Sequence, residues 1–265
     1  MKNRVILFLH IPKTGGTTLH NILLRNYSAS QQKLILGPQD LDDFQNSTLE
    51  ERDRFSLIRG HFVFGIHKLI SRDYTYITFL RDPKERLLSQ YRYIITNPRH
   101  PRHKVFKDGN ISLEQFLQDG LVKNADNAQV RSISGNRDLP FRSIGETHFN
   151  QAKENLERDF LLYAPLTEFD SFLVAGKLLF GWKGLYYLPL NVNKTKKTPI
   201  SKKEQSLLEE LTFWDEKILE FSRQKFKERV LEFGPSFSEE MHRFQKMNAR
   251  IRPFLKAKRW LLRQY

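Results

Sequence analysis

The chain has 265 residues, of which 39% are hydrophobic, so it contains enough apolar material for a core, and we exclude an intrinsically disordered protein. Lys and Arg number 44 against 30 Asp and Glu, and the net charge of +14 favours an anionic partner: a nucleotide, an acidic glycan, a nucleic acid or a membrane surface. The sequence contains no cysteine, which excludes a disulfide framework and any cysteine-based metal site.

The first predicted element is a strand at Val5–Leu9, a short apolar run with β-branched residues. A glycine-containing loop follows, and a helical pattern begins near Thr17. The apolar run is too short for the core of a secretory signal, and no stretch of the sequence is long enough to span a bilayer. We therefore expect a cytoplasmic protein.

A second buried strand is predicted at Tyr74–Leu80, followed by Arg81 and then a helix over residues 84–95. Asp82 can cap this helix, and Pro83 suits its first turn. Two strand-to-helix turns of this kind indicate an α/β fold with a parallel sheet flanked by helices. Ligands of such sheets bind outside the carboxyl ends of the strands, so we expect both turns to face one crevice.

The remaining sequence carries further helical patterns, one short strand and two basic loops. A Gly-Pro pair at positions 234 and 235 precedes a charged helical pattern. We predict one domain over residues 1–234 and a basic amphipathic helical tail over residues 235–265. Helices are predicted at 111–121, 147–160, 170–180 and 202–233, the strand at 160–163, and loops at 98–110 and 191–203.

The most informative segment is HIPKTGGTTL, residues 10–19. Glycines let the backbone turn tightly and approach an oxyanion, while the amides and the dipole of the following helix attract it. A lysine adds positive charge, and threonines add hydroxyl donors. An ordinary turn with a spare lysine is the alternative. We predict a cradle for phosphate or phosphosulfate formed by Lys13, Thr14, Gly15, Gly16, Thr17 and Thr18.

This loop differs from the Walker A loop of kinases and NTPases. That pattern places its lysine directly after the last glycine and a Ser or Thr for magnesium after the lysine, whereas Lys13 precedes both glycines. A P-loop-type kinase acting on a small metabolite is weakened by this departure but stays the main alternative. A nucleic-acid binder ranks third, because an anionic nucleotide explains the net charge equally well.

The loop resembles the 5′-phosphosulfate loop of sulfotransferases that use 3′-phosphoadenosine 5′-phosphosulfate (PAPS), most closely that of the heparan sulfate 2-O and 6-O group. The resemblance implies a three-layer sulfotransferase fold with a P-loop-like sheet. It also implies sulfonate transfer from PAPS to a hydroxyl of a carbohydrate or glycolipid, with no metal expected. Four more segments are similar in the same order: TFLRDPKERLLSQYRY (78–93), NADNAQVRSISG (124–135), QAKENLERDFLLYAPLTEFDSFL (151–173) and LNVNKTKKTPIS (190–201).

Lys13 and His61 are the candidate catalytic residues. Sulfonate transfer develops negative charge on the leaving phosphate oxygen, which a fixed ammonium such as that of Lys13 stabilises. The acceptor hydroxyl needs a base, and histidine has a suitable pKa. The resemblance places the family's base in a Gly-His turn like the one at His61, although a packed histidine is the alternative. His67 is the rival base, and His10 is less suitable because it lies beneath the loop.

Arg81 and Ser89 are predicted to bind the 3′-phosphate. A guanidinium matches phosphate through two parallel hydrogen bonds, and Ser89 resembles the phosphate-binding serine of the family. Thr195 and Lys196 are expected to close over the nucleotide from the late basic loop. Arg131 is expected to contact the nucleotide or the acceptor. The alternatives are a surface ion pair for Arg81, a solvated hydroxyl for Ser89 and a solvated basic turn for the late loop.

The tail is strongly basic, because residues 242–265 contain eight Lys or Arg and no acid, interleaved with apolar side chains. Such a helix can lie at an anionic membrane surface. It can also bind an acidic glycan or pack on the domain with a solvated basic face. Our hypothesis is that the tail recruits the protein to lipid-linked or polyanionic acceptors through peripheral membrane contact, and no nucleic-acid partner is expected.

Overall fold

The computed structural model describes residues 4–122, 124–188 and 199–261. Its centre is a parallel sheet in which the described residues form five strands: β1 (Val5–Leu9), β2 (Gln32–Ile35), β3 (Leu57–Gly60), β4 (Tyr74–Leu80) and β5 (Phe160–Pro165). The strand order is β2-β3-β1-β4-β5, and every neighbouring pair is parallel. All five carboxyl ends therefore lie at one edge of the sheet.

Helices cover both faces of the sheet. The described residues form eleven: α1 (Gly16–Leu23), α2 (Pro38–Asn46), α3 (Leu49–Asp53), α4 (Pro83–Thr96), α5 (His103–Asp108), α6 (Leu113–Gln118), α7 (Ala128–Ser134), α8 (Glu146–Asp159), α9 (Phe169–Phe180), α10 (Lys202–Glu232) and α11 (Pro235–Leu261). Helices α1, α9 and α11 pack on one face, and α2, α7 and α8 pack on the other. Together they make a three-layer α/β fold.

Two cores form because side chains alternate along buried strands. On β1, Val5, Leu7 and Leu9 face the core shared with α2, α7 and α8, whereas Ile6 and Phe8 face the core shared with α1 and α9. All five side chains are buried. A strand buried on both faces reads as a continuous apolar run, which is why β1 could be predicted. The predicted α/β class with a helix-flanked parallel sheet is confirmed.

A third core lies beside the sheet, between α4, α5, α6 and the first half of α10. Phe106 is buried in it, in contact with Phe116 at 6.0 Å between ring centroids. The prediction of a basic loop over residues 98–110 is therefore wrong in part, since α5 lies within it. Phe106 anchors this short helix while its lysines stay at the surface.

The first half of α11 belongs to the packed body of the protein. Phe237 and Phe244 are buried in the core beneath α9, and Glu240 forms an ion pair with Lys177. Helix α11 begins at Pro235, where the tail is predicted to begin, and the division into a domain and a tail stays a prediction. None of the helices in the described ranges combines the length and the apolar character needed to cross a membrane.

Candidate active site

Three neighbouring strands bring the predicted site residues together at the carboxyl edge of the sheet. Strand β1 is followed by His10, whose amide donates to the carbonyl of Gly60, 2.9 Å away, at the end of β3. Strand β4 is followed by Arg81, whose Nη1 donates to the carbonyl of Lys13 at 3.0 Å. The turns after β1 and β4 therefore face one crevice, as their sequences predict.

The loop after β1 leaves the start of α1 open to an anion. Gly15 precedes the helix with a φ of 80°, and no side chain caps the first amides, which have no acceptor within the helix. A Cβ on Gly15 would lie 2.6 Å from a methyl of Leu166, and a Cβ on Gly16 would lie 2.1 Å from the ring of His10. The positive φ of Gly15 and the close approach at Gly16 favour glycine at both positions, and the amides at the start of α1 are the groups predicted to form the anion cradle.

The threonines of the loop differ in their roles. The hydroxyl of Thr14 is buried and donates to the carbonyl of Ile11 at 2.8 Å. This corrects the expectation that Thr14 offers a hydroxyl donor to the ligand, because its single proton closes the loop instead. Thr17 is exposed in the first turn of α1, whereas Thr18 is mostly buried. Thr17 is therefore the best placed of the three to offer its hydroxyl.

Lys13 projects from the loop with a φ of 73°, a conformation that is uncommon for residues other than glycine. Its Nζ lies 4.0 Å from the centroid of the Tyr93 ring. Burial lowers the pKa of Lys13, and the positive charge of Arg81 lowers it further. The lysine is therefore held by its backbone at Arg81 and by its ammonium at Tyr93.

His61 is partly buried in the turn after β3 and has a defined tautomer. Its Nδ1 lies 3.0 Å from the carbonyl oxygen of His10, and because a carbonyl can only accept, Nδ1 carries the proton. Burial lowers the pKa of His61, and the positive charge of Arg137 lowers it further. The hydrogen bond to His10 acts in the opposite direction and raises this pKa. Arg137 also donates to the carbonyl of His61 at 2.8 Å. His61 is thus a neutral imidazole near neutral pH, with the lone pair of Nε2 available as a base.

His67 lies at the opposite edge of the sheet. Its Nδ1 is 2.9 Å from the hydroxyl of Tyr76, and its ring stacks on Tyr74 at 4.5 Å. Tyr74 is the first residue of β4, so His67 sits near the amino end of that strand. His10 packs beneath the loop as expected, and burial lowers its pKa to about 3. Of the three histidines considered, His61 is the one at the carboxyl edge with an open ring nitrogen.

Gln129, in the predicted Asn-x-Gln-x-Arg segment, fixes the backbone of Arg81. Its Oε1 accepts from the amide of Arg81 at 2.8 Å, and its Nε2 donates to the carbonyl of Arg81 at 2.9 Å. Gln129 is fully buried, so this pair of bonds is shielded from water. The sequence singled out the segment but not this glutamine. The signal that could have identified it is its amide side chain, which can donate and accept hydrogen bonds at the same time.

Asp215 of α10 supports Gln129 in turn. Its carboxylate accepts from the amide of Gln129 at 3.0 Å and from the amide of Val130 at 2.8 Å. Burial raises the pKa of Asp215 to about 6, against the positive charge of nearby Arg86. Asp215 therefore caps the start of α7, and this links α10 to the end of β4 where Arg81 lies.

Arg131 does not face the crevice. Its side chain is 1% exposed and forms an ion pair with Asp126 at 2.8 Å. It also donates to the carbonyls of Leu139 and Pro140, at 2.8 Å and 2.7 Å. The expectation that Arg131 contacts the nucleotide or the acceptor is therefore wrong: its donors hold the loop after α7.

Ser89 lies on α4 one turn before Tyr93, so the two residues share a face of the helix. Because the Tyr93 ring contacts Lys13, this face is turned toward the loop. Thr195 and Lys196 lie outside the described residues. The binding roles of all these residues stay predictions.

Two curated relatives are similar along most of the chain. Human heparan-sulfate 6-O-sulfotransferase 3 is 25% identical over 277 residues, which cover 85% of this chain and 58% of that protein. Human galactosylceramide sulfotransferase is 27% identical over 252 residues, which cover 87% of this chain and 59% of that protein. The chain thus spans about three-fifths of the length of these relatives.

A solved structure of mouse sulfotransferase SULT7A1 complexed with PAP is a more distant match. It is 14% identical, with a TM-score of 0.33, and the match covers 87% of this chain and 90% of that one.

The decisive comparison is with a family model. Residues 1–168 match the model of the Sulfotransferase family, well over half of the chain. The matched region contains the loop, His61, Arg81 and Gln129. The match confirms the resemblance to sulfotransferases at the level of the family. The chain belongs to the Sulfotransferase family.

Proposed function

We propose that this protein transfers a sulfonate group from PAPS to a hydroxyl of a carbohydrate or glycolipid. The observation that carries the proposal is the meeting of three features at one edge of the sheet: an uncapped helix start, the ammonium of Lys13 and the neutral imidazole of His61. The names of the two relatives, one acting on heparan sulfate and the other on galactosylceramide, support a glycan or glycolipid acceptor.

The donor would bind along the carboxyl edge. The amides at the start of α1 and the hydroxyl of Thr17 suit the 5′-phosphosulfate, because they present donors to an anion without a competing cap. Arg81 and Ser89 suit the 3′-phosphate, since Gln129 fixes the backbone from which the guanidinium projects.

In the reaction, the oxygen of the acceptor hydroxyl attacks the sulfur while Nε2 of His61 accepts the proton of that hydroxyl. The bond between sulfur and the bridging oxygen of the phosphate breaks in line, and the electron pair remains on that oxygen. The ammonium of Lys13 stabilises this developing charge, which is larger in the transition state than in the ground state. The products are the sulfated acceptor, 3′-phosphoadenosine 5′-phosphate (PAP) and protonated His61.

Calorimetric titration with PAP in EDTA, with ATP as the control, tests the donor class. We expect PAP to bind and ATP to bind weakly or not at all. Binding of ATP that requires magnesium would instead favour the kinase, because kinases bridge the phosphates with this ion. Within the described ranges, no three His, Asp or Glu side chains are placed to hold a metal. Independence from metal stays a prediction that the EDTA condition tests.

Transfer of labelled sulfonate from PAPS tests the acceptor class. A neutral β-galactosyl lipid and an unsulfated uronic-acid polysaccharide would be compared at matched hydroxyl concentration. Labelling of either acceptor supports the proposal. If a protein that binds PAP labels neither, the donor assignment remains and the assignment of a glycan or glycolipid acceptor is contradicted.

We also propose that the tail makes peripheral contact with an anionic membrane. Phe254 is 76% exposed on α11, and Arg250 and Lys256 near it are exposed as well. An apolar side chain between cations suits the interface of an anionic bilayer. A cytoplasmic location, at the membrane surface, is part of this proposal.

A further inference from the structure

Tyr93 is an exposed aromatic residue that touches the candidate catalytic lysine. It lies on α4, its side chain is 44% exposed, and its ring centroid is 4.0 Å from Nζ of Lys13. Within the described ranges, its only other ring contact is with His100, at 5.7 Å and nearly perpendicular. A tyrosine placed in this way contributes little to the core, so its position calls for another explanation.

In the described part of the chain, the groups whose charges interact with Lys13 are all basic. Arg81 follows β4 and donates to the carbonyl of Lys13 at 3.0 Å. His10 follows β1, and His100 follows α4; the charge of Lys13 lowers the pKa of both. Among the described residues, no acidic group raises the pKa of Lys13. The negative face of the Tyr93 ring is therefore the group that offsets the charge of this partly buried ammonium.

We propose that Tyr93 is a positioning residue, which holds the ammonium of Lys13 in place and in its charged form before the donor binds. The ammonium then exchanges the ring for the bridging oxygen of the phosphosulfate. The first statement concerns the free protein alone, whereas the second rests on the proposed function. The hydroxyl of Tyr93 is not required, because the attraction comes from the ring.

The contact in the free protein can be read by nuclear magnetic resonance. Reductive methylation with labelled formaldehyde puts ¹³C-methyl groups on the lysines, and Lys13→Arg assigns the signal of Lys13. A cation over a ring face lies in its shielding region, so we expect an upfield signal. Tyr93→Leu should remove the upfield shift and Tyr93→Phe should retain it.

The same signal titrates with pH. Loss of the cation–π contact should raise the acid dissociation constant of Lys13 by about 2- to 5-fold, so its pKa falls by about half a unit in Tyr93→Leu. Because Lys13 works as the ammonium and the ring contact exists before the donor binds, the alkaline limb of kcat/KM for PAPS should move to lower pH by the same amount. Tyr93→Phe should restore the limb of the original protein.

Phe213→Leu is the matched control. Phe213 is 49% exposed on α10, and Nζ of Lys217 lies 4.4 Å from its ring centroid. The substitution therefore removes the same kind of contact elsewhere, and it should leave the Lys13 signal and the pH limb unchanged.

An unshifted Lys13 signal in the free protein would overturn the proposal, and so would a signal or a pH limb that Tyr93→Leu does not move. These outcomes are distinct from failure of the proposed function. If PAP does not bind, the position of the Lys13 signal in the free protein still tests the contact with Tyr93. If PAP binds and displaces the Lys13 signal from its upfield position, both ideas are supported together.

Discussion

At the scale of single residues, we expect substitutions of His61 and His67 to have opposite effects on kcat. His61→Ala should lower kcat by at least about 100-fold, the usual contribution of a general base, and leave the affinity for PAP within a few fold. His67→Ala should leave kcat within a few fold, because His67 lies near the amino end of β4. Initial rates of sulfonate transfer and calorimetry with PAP measure both. Near-normal turnover by His61→Ala would show that another group acts as the base.

The pH profile gives a second test of His61. Burial and Arg137 lower its pKa below the ordinary value of 6.5, so the base stays neutral and active as the pH falls through 6.5. We therefore expect the acid limb of kcat/KM below that pH. Arg137→Met removes a cation that favours the neutral form and should move the limb upward, whereas Arg137→Lys should move it less. An acid limb above 6.5 in the unsubstituted protein would contradict this account.

At the scale of elements, a substitution at Gly16 gives the most direct test of the close approach of α1 to β1. A Cβ at this position would lie 2.1 Å from the ring of His10, so Gly16→Ala must displace the helix start or the histidine. Overpacking of this kind costs about 1–3 kcal/mol. The displaced amides should also weaken PAP binding about tenfold or more, as measured by calorimetry.

Gly37→Ala is the control for this prediction. Gly37 precedes α2 in an extended conformation with a φ of −149°, and nothing lies within 4 Å of a Cβ built there. PAP affinity should match that of the original protein, and the free energy of unfolding should fall by no more than about 1 kcal/mol, because alanine is a poorer N-cap than glycine. Equal behaviour of the two alanine variants would mean that the loop tolerates a side chain and that the cradle is less confined than its geometry indicates.

A second element-scale prediction concerns the join between α7 and α10. Asn127 has a φ of 42°, and its Oδ1 accepts from the amides of Trp214 and Asp215, at 2.9 Å and 3.1 Å. Asn127→Ala should remove both hydrogen bonds that tie α7 to α10, at a cost of about 0.5–1.5 kcal/mol each in the free energy of unfolding. Denaturant unfolding measures the loss. Asn150→Ala, at an exposed position on α8, should change it by less than about 0.5 kcal/mol.

The same join shows what the sequence could and could not predict. Strands β1 and β4 and the loop at Lys13 were predictable, because apolar runs and glycine turns act locally. Strands β2 and β3 have four residues each, too few for a pattern. Gln129 and Asp215 are 86 positions apart, so the bond that supports Arg81 is visible only once the chain is folded. Arg131 and Asp126 are only five positions apart, but their pairing escaped because the residue pattern does not show that both side chains are buried.

At the scale of the whole molecule, charge and packing divide α11 into two parts. Its first half supplies Phe244 to the core, and Oδ1 of Asn248 accepts from the amide of Tyr187 at 3.2 Å. Deleting the chain after Met241 would therefore damage the packed body together with the tail. Substitutions on the exposed second half separate membrane contact from stability, because they leave Phe244 and Asn248 in place.

The membrane proposal accordingly predicts the behaviour of one triple variant: Arg250→Gln, Phe254→Ser and Lys256→Gln. All three side chains are exposed, so unfolding should change little. Each basic residue near an anionic surface contributes about 1 kcal/mol, so the variant should bind phosphatidylserine vesicles at least about 30-fold more weakly in a sedimentation assay. Lys202→Gln with Lys227→Gln removes the same charge from α10 and should bind as the original protein does. If the two variants bind the vesicles equally well, the attraction comes from the net charge of +14 and not from the tail.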